Sequence, residues 1–254
     1  MTATSWLENR IEELKLALVF CTRLPLLGAM PAAGAPIGQA AWAFPLAGLV
    51  VGLVGAAVFW LAHRFGLPGW PAAALAVGAT LAATGALHED GLADTADGFG
   101  GGKTREQKLA IMRDSRIGTY GVCALVLSLV LRIAALASLP SAHAVVWALF
   151  AAHAGARAAV PALMLLLPPA RADGLSFAAG RPPGNSVIAA ALIGFVVLVF
   201  CLHLRHAIAA LILLAALVGT MAWLATRQIG GQTGDVLGAL EQISEIAVLL
   251  VALG

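Results

Sequence analysis

The chain has 254 residues, of which 61% are hydrophobic and only 11% charged, and its formal net charge is +2. Soluble domains carry about 25% charged residues, so this composition excludes a soluble enzyme and predicts an integral membrane protein. No basic tract or aromatic–basic alternation of the kind that binds nucleic acid is present, so no nucleic-acid partner is expected.

In chain order, residues 5–20 interleave Glu8, Arg10, Glu12, Glu13 and Lys15 with Leu7, Ile11, Leu14 and Leu18 at helical spacing. This predicts an amphipathic helix at the membrane interface, not a signal peptide, because acidic residues stand where a basic n-region belongs. The stretch 16–30 that follows contains Arg23 and Pro25 and reads as a short or re-entrant element. Apolar runs then occur at 41–62, 70–87, 118–139, 144–167, 187–204, 207–227 and 236–254. Each approaches the roughly 20 residues that cross a bilayer, so the expected fold is all-α, a polytopic membrane helix bundle of about seven transmembrane helices plus the N-terminal interfacial or re-entrant helix. It forms one domain over 1–254, with 1–40 as the N-terminal segment and 88–117 as a cytoplasmic, acidic, glycine-rich segment. Cys21, Cys123 and Cys201 lie far apart in apolar segments and read as small core residues.

Charge placement sets the orientation. With the segment after residue 87 in the cytoplasm, Arg64 and Arg205 fall in outer loops, Arg132 and Arg157 fall within spans, and the other basic residues lie inside, as the positive-inside rule requires. No carboxylate falls in an outer loop, whereas Glu89, Asp90, Asp94, Asp97, Glu106 and Asp114 crowd into one cytoplasmic segment. Acidic residues contribute little to orientation, so their segregation points to a cytoplasmic active site.

Within that segment, His88 to Gly102 reads HEDGLADTADGFGGG, and Asp90, Asp94 and Asp97 are spaced i, i+4, i+7. On a helix this spacing stacks three carboxylates on one face, where they repel one another unless a cation neutralises them. A divalent metal is the natural candidate, and the glycines would let a phosphate approach the backbone. Lys103, Arg113 and Arg116 follow, with Asp114 between the two arginines. Carboxylates for a metal beside several cations are what phosphoryl transfer needs, because its transition state spreads negative charge. An ordinary solvated loop between two helices is the competing reading.

His88 is a candidate base or partner of an aspartate, and equally a structural histidine at a helix end. Asp235 follows the glycine-rich turn 230–234 and is either an N-cap or a further metal or substrate ligand. Arg171, in the loop 168–177, is placed to hold a phosphate, or else only sets topology. Glu241 and Glu245 in the last span are costly unless paired, and by depth Arg157 is the expected partner of one of them. Arg132 sits nearer the outer face in this topology and is expected to snorkel.

Taken together, H-x-D-G-L-A-D-T-x-D-G-x-G-G-G at 88–102, D-S-R-I-G-T-Y-G at 114–121 and T-G-D-x-L-G-A at 233–239 resemble the cobalamin synthase family, the adenosylcobinamide-GDP ribazoletransferases. The similarity extends to Arg23-Leu24-Pro25, Phe44-Pro45-Leu46-Ala47-Gly48 and Ala170 to Leu175. Glu89 departs from it by standing where an apolar residue is expected. The resemblance implies a multi-pass enzyme of the cell inner membrane with its active site facing the cytoplasm. Its reaction joins adenosylcobinamide-GDP to alpha-ribazole or alpha-ribazole 5'-phosphate with Mg2+ and releases GMP. By position, Asp90, Asp94 and Asp97 would hold Mg2+ and the diphosphate. Lys103, Arg113, Arg116 and Arg171 would contact phosphate, Asp114 would be a base or second metal ligand, and Asp235 would contact substrate or metal. The expected partners are these substrates and membrane lipid, with homo-oligomerisation or association with other cobalamin-assembly enzymes left open.

Two other functions are weighed. Phosphotransferases of the CDP-alcohol type also place aspartates on facing membrane helices, but their Ala-Arg pattern fails here because Ala93 is followed by Asp94. An ion-coupled transporter would use Glu241, Glu245 and Arg157, yet the acidic density is at the membrane face and the two halves show no repeat.

Overall fold

A computed structural model describes residues 3–25 and 37–254. The part of the predicted re-entrant element that falls at 26–30 lies outside the described residues. The elements are α1 (Ala3–Cys21), a 3-10 helix (Ile37–Ala43), α2 (Phe44–Arg64), α3 (Gly69–Thr84), α4 (Leu87–Gly101), α5 (Arg105–Ile111), α6 (Thr119–Ser138), α7 (Ala142–Leu166), α8 (Leu175–Ala179), α9 (Gly184–Ile229) and α10 (Gly234–Val251). The chain is thus all-helical, as its composition and periodicity predict.

Four of these stretches are long and apolar enough to cross a membrane: 37–64, α6, α7 and α9. A fifth is added if α3 and α4 are taken as one span bent by 90°. The expectation of seven differs for physical reasons. The runs 187–204 and 207–227 join into the 46-residue α9, which is broken at His203, where φ is 65° and ψ 163°, inside the turn expected between them. The run 70–87 ends early, because Gly85 and Ala86 both take positive φ and redirect the chain into α4. The last run is α10, whose Asp235, Glu241 and Glu245 lower its apolarity.

At the centre stands α7, buried along nearly its whole length from Ala148 to Met164. Its small residues let neighbours approach closely, the usual solution where lipid provides no hydrophobic force between helices. Gly52 of α2 lies so near that a Cβ there would stand 2.9 Å from the Leu149 carbonyl oxygen. Leu53, Val126, Leu127, Val196, Phe200 and Ile212 point outward and are each more than half exposed, as a lipid-facing surface requires. Trp6, Leu7 and Ile11 are exposed on α1, whereas Ala17 and Cys21 are buried, so the amphipathic helix has one face free and its C-terminal end in the core.

Among the described residues, the buried Arg132 and Arg157 are ion-paired with Glu89, Glu241 and Glu245. Arg157 of α7 meets Glu241 of α10 at 2.6 Å, the partnership expected from their depth. Arg132 does not snorkel: it is 1% exposed, with Nη1 2.8 Å from Glu89 and Nε 2.7 Å from Glu245. It also donates to Gln242 at 3.1 Å and Thr80 at 3.3 Å. Glu89, the departure from the family pattern, is therefore the α4 end of a buried ion pair.

Candidate functional site

The acidic block forms α4, so its i, i+4, i+7 spacing is realised on a helix, but the three carboxylates do different things. Asp97 accepts from the backbone N–H groups of Gly118 at 2.7 Å and Gly121 at 2.9 Å. A carboxylate there satisfies two orphan donors of α6 and complements the helix dipole. Asp90 is exposed and Asp94 half-buried. Asp90, Asp94 and Asp235 lie within electrostatic reach of one another.

Close contact between α4 and α10 creates that arrangement. A Cβ on Gly91 would stand 2.8 Å from the Asp235 carbonyl oxygen, and one on Gly238 would stand 3.2 Å from the His88 carbonyl oxygen. Thr233, not Asp235, caps α10: its hydroxyl accepts from Val236 N–H at 3.3 Å. Asp235 is therefore free of the N-cap role weighed for it, and its carboxylate lies 3.6 Å from Arg171.

The loops carrying these last two residues are stitched together. Ala170 N–H donates to Gln232 at 2.8 Å and Gln232 N–H to Pro168 at 2.9 Å, a short parallel bridge between Pro169 and Gln232. Arg105 locks the pair from outside, donating through Nε to Ile229 at 2.8 Å and through Nη2 to the Ala170 carbonyl. No motif spacing marks Arg105, since its partners lie far away in sequence.

The electrostatics follow from this crowding. Burial and the neighbouring Asp90, Asp235 and Asp97 push the Asp94 carboxyl up to about 7, against a smaller opposing pull from Arg171. Asp114 moves the other way, held at about 2 by hydrogen bonds from Arg116, which makes it a weak proton acceptor. Arg113 is paired with Asp173 at 2.6 Å, tying the loop after α5 to the loop after α7. Lys103 is exposed. Arg171 Nη1 is buried without an acceptor, a donor suited to an anion.

The glycines of the block do not form a phosphate cradle. Gly98 is packed against Met112, Gly100 against the Tyr120 ring and Gly102 against Lys108, so they let α5 and α6 close on α4. His88 is buried, 3.5 Å from Arg157 and 3.8 Å from Glu241, and belongs to the ion-paired interior.

For a divalent cation, Asp90, Asp94 and Asp235 supply the right chemistry, hard carboxylate oxygens with an excess of negative charge that a cation relieves, but their oxygens do not all lie within 4.8 Å of one another. Among the described residues, His153, Glu241 and Glu245 are the one set of three such ligand atoms gathered within 4.8 Å. Arg157 and Arg132 already neutralise it, and so it reads as an ion-pair cluster rather than a metal centre.

Asp90 lies between two cavities. One is lined by Asp90, Asp235, Arg171, Arg157 and His88 together with apolar residues of α1, α2, α7, α8 and α10. The other, bounded by Asp90, Asp94, Arg113, Asp114 and Ser115, opens along α4 on its other side.

Residues 13–253 match the family model described as cobalamin-5-phosphate synthase. The adenosylcobinamide-GDP ribazoletransferase of Bradyrhizobium diazoefficiens is 57% identical over 98% of this chain and 96% of its own length. Proteins of the same name from Mesorhizobium japonicum and Azorhizobium caulinodans are 55% identical (95% and 93% coverage) and 49% identical (92% of each chain). No solved structure matches. The chain therefore belongs to the cobalamin-5-phosphate synthase family, transferases that act in the final assembly of cobalamin.

Proposed function

We propose that this enzyme joins adenosylcobinamide-GDP to alpha-ribazole, or to its 5'-phosphate, in an Mg2+-dependent reaction at the cytoplasmic face of the cell inner membrane. The observation that supports the reading is the close approach of α4 to α10 at Gly91, which puts Asp90, Asp94 and Asp235 within electrostatic reach of one another, with Arg171 3.6 Å from Asp235. Those three carboxylates would hold the metal, which when bound supplies charge neutralisation to the diphosphate. Arg171 and the exposed Lys103 bind phosphate oxygens, and their charge is worth most where negative charge builds in the transition state.

The acceptor's ribose hydroxyl attacks the phosphorus that carries the cobinamide. One phosphate–oxygen bond forms, the phosphoanhydride bond breaks, GMP leaves, and the hydroxyl proton is lost to a base. Asp114 is disfavoured as that base because Arg116 keeps it ionised and weakly basic. Asp97 holds the start of α6 and so fixes the face from which Asp90 and Asp94 project. His88 positions rather than reacts, since it is enclosed with Arg157 and Glu241.

The test is release of GMP by purified protein in detergent from adenosylcobinamide-GDP and alpha-ribazole, with and without Mg2+. Mg2+-dependent GMP is the expected result. Its absence under both conditions overturns the proposal.

A further inference from the structure

Helix α5 is tied to its surroundings at both ends. A capping box of Thr104 and Gln107 fixes its start. Next to that cap, Arg105 donates to the Ile229 carbonyl at the end of α9, at 2.8 Å, and to the Ala170 carbonyl. Lys108 donates to the Phe99 carbonyl of α4 at 3.1 Å. Just past the helix, Arg113 Nη2 donates to both carboxylate oxygens of Asp173 at 2.6 Å.

The two arginine anchors fall on either side of Arg171: Ala170 precedes it directly, and Asp173 follows after Ala172. The guanidinium of Arg171 has no short contact of its own to aim it. Asp173 and Asp235 each stand 3.6 Å away, beyond hydrogen-bond distance, and Nη1 is buried without an acceptor. A long side chain so loosely held takes its direction from the backbone that carries it. Gly174, at φ 86°, turns that backbone beside the guanidinium, where a Cβ would stand 3.4 Å from Arg171 Nε.

We infer that α5 is a brace for Arg171, with Arg105 and Arg113 as positioning residues, and that Arg113 acts through Asp173 instead of binding phosphate itself. The inference rests on the proposed function for the role of Arg171. A phosphate could reach Arg113 Nη2 only by displacing a carboxylate already bound through both oxygens. The two carbonyls held by Arg105 belong to segments far apart in sequence, and reaching both requires a guanidinium fork, which an ammonium lacks. Because Lys108 fixes the same helix to α4, the brace sets Arg171 relative to the helix that carries Asp90 and Asp94. Arg113 and Asp173 are both exposed, and such pairs contribute little to stability. Their loss is therefore expected to disturb the aim of Arg171 and to leave the bundle intact.

Hydrogen exchange of the full-length protein in detergent, without substrates, reads the brace directly. Arg105→Gln and Arg113→Ala are each expected to speed exchange across residues 169–175 by about tenfold or more, with melting midpoints close to wild type. In turnover, kcat/KM for adenosylcobinamide-GDP is expected to fall on the order of tenfold in both variants, with the KM for alpha-ribazole within about twofold of wild type. Arg113→Lys is expected to recover most of the loss and Arg105→Lys little of it. Asp173→Ala is expected to match Arg113→Ala, and the double variant to be no worse than either single, since all three break one contact. Wild-type turnover in Asp173→Ala beside a slow Arg113→Ala, or full additivity of the two, makes Arg113 a direct ligand and overturns its assignment. Unchanged exchange in Arg105→Gln and Arg113→Ala, or faster exchange with unchanged kcat/KM, overturns the brace. If Arg105→Gln does not fold, the exposed Arg113 and Asp173 variants decide alone. GMP release by wild type with exchange unaltered in the variants removes only the brace. Altered exchange with no GMP formed by wild type removes the proposed function and leaves the brace as a structural fact.

Discussion

At the residue scale, Asp94 is the most informative side chain, because its neighbours are mostly like charges. Its carboxyl is expected to hold a proton near neutrality in the metal-free protein and to lose it when a cation binds. The folded-state value, about 7, stands above the ordinary unfolded value of about 3.9. The native state therefore binds more protons than the unfolded state in that window, and metal-free stability falls as pH rises through it. Thermal melts are expected to show little effect of Mg2+ near pH 5 and a distinctly larger stabilisation near pH 8, with the difference abolished in Asp94→Asn. Asp94→Asn is also expected to lower GMP release by on the order of 10²-fold or more with the fold retained, checked by turnover and a melt on the same preparation. Turnover within a few fold of wild type would remove Asp94 from the site.

The residue types of this site were legible in the sequence, but their directions were not. Spacing places Asp90, Asp94 and Asp97 on one helix face, yet spacing alone does not reveal that the backbone N–H groups of Gly118 and Gly121 would engage the last of them. Likewise, a run of glycines is as consistent with an open phosphate loop as with tight packing. Only the positions of Met112, Tyr120 and Lys108 decide between them.

At the scale of elements, the contact of α4 with α10 is the decisive feature, and Gly91 is its narrowest point. Gly91→Val would force the two helices apart, at a cost on the order of 1–3 kcal/mol for an overpacked contact. Because the carboxylates proposed to hold the metal lie on both sides of that contact, activity is expected to fall by more than stability would account for. Gly78→Val provides the control, since a Cβ there meets nothing within 4 Å and both properties should stay near wild type. Melting temperature and Mg2+ dependence of GMP release, measured on both proteins, check this. Periodicity found nearly every helix, because apolar runs and polar breaks persist whatever the packing. It divided α9 correctly near His203, but it did not show the 90° bend between α3 and α4, which depends on the backbone at Gly85 and Ala86.

At the scale of the whole molecule, the buried charges Glu89, Arg132, Arg157, Glu241 and Glu245 connect four helices into one unit. Removing one member leaves another uncompensated, and Arg132→Met is expected to cost about 3–5 kcal/mol, read as a lowered unfolding midpoint. Exchanging partners, Arg157→Glu with Glu241→Arg, is expected to recover part of the stability lost in either single variant. Strict additivity of the two single effects would show that the pair does not interact. The depth of Arg157 made its pairing legible from sequence. That of Arg132 was not, because Glu89 reaches it only after the chain has bent.

The position of α10 in the chain has a consequence for biogenesis. Glu241 and Glu245 are synthesised after the arginines of α6 and α7 that they neutralise. Until α10 arrives, those arginines lack these partners in a medium that penalises unpaired charge. A nascent chain stopped short of α10 should therefore be a substrate for membrane quality control rather than a partly working enzyme.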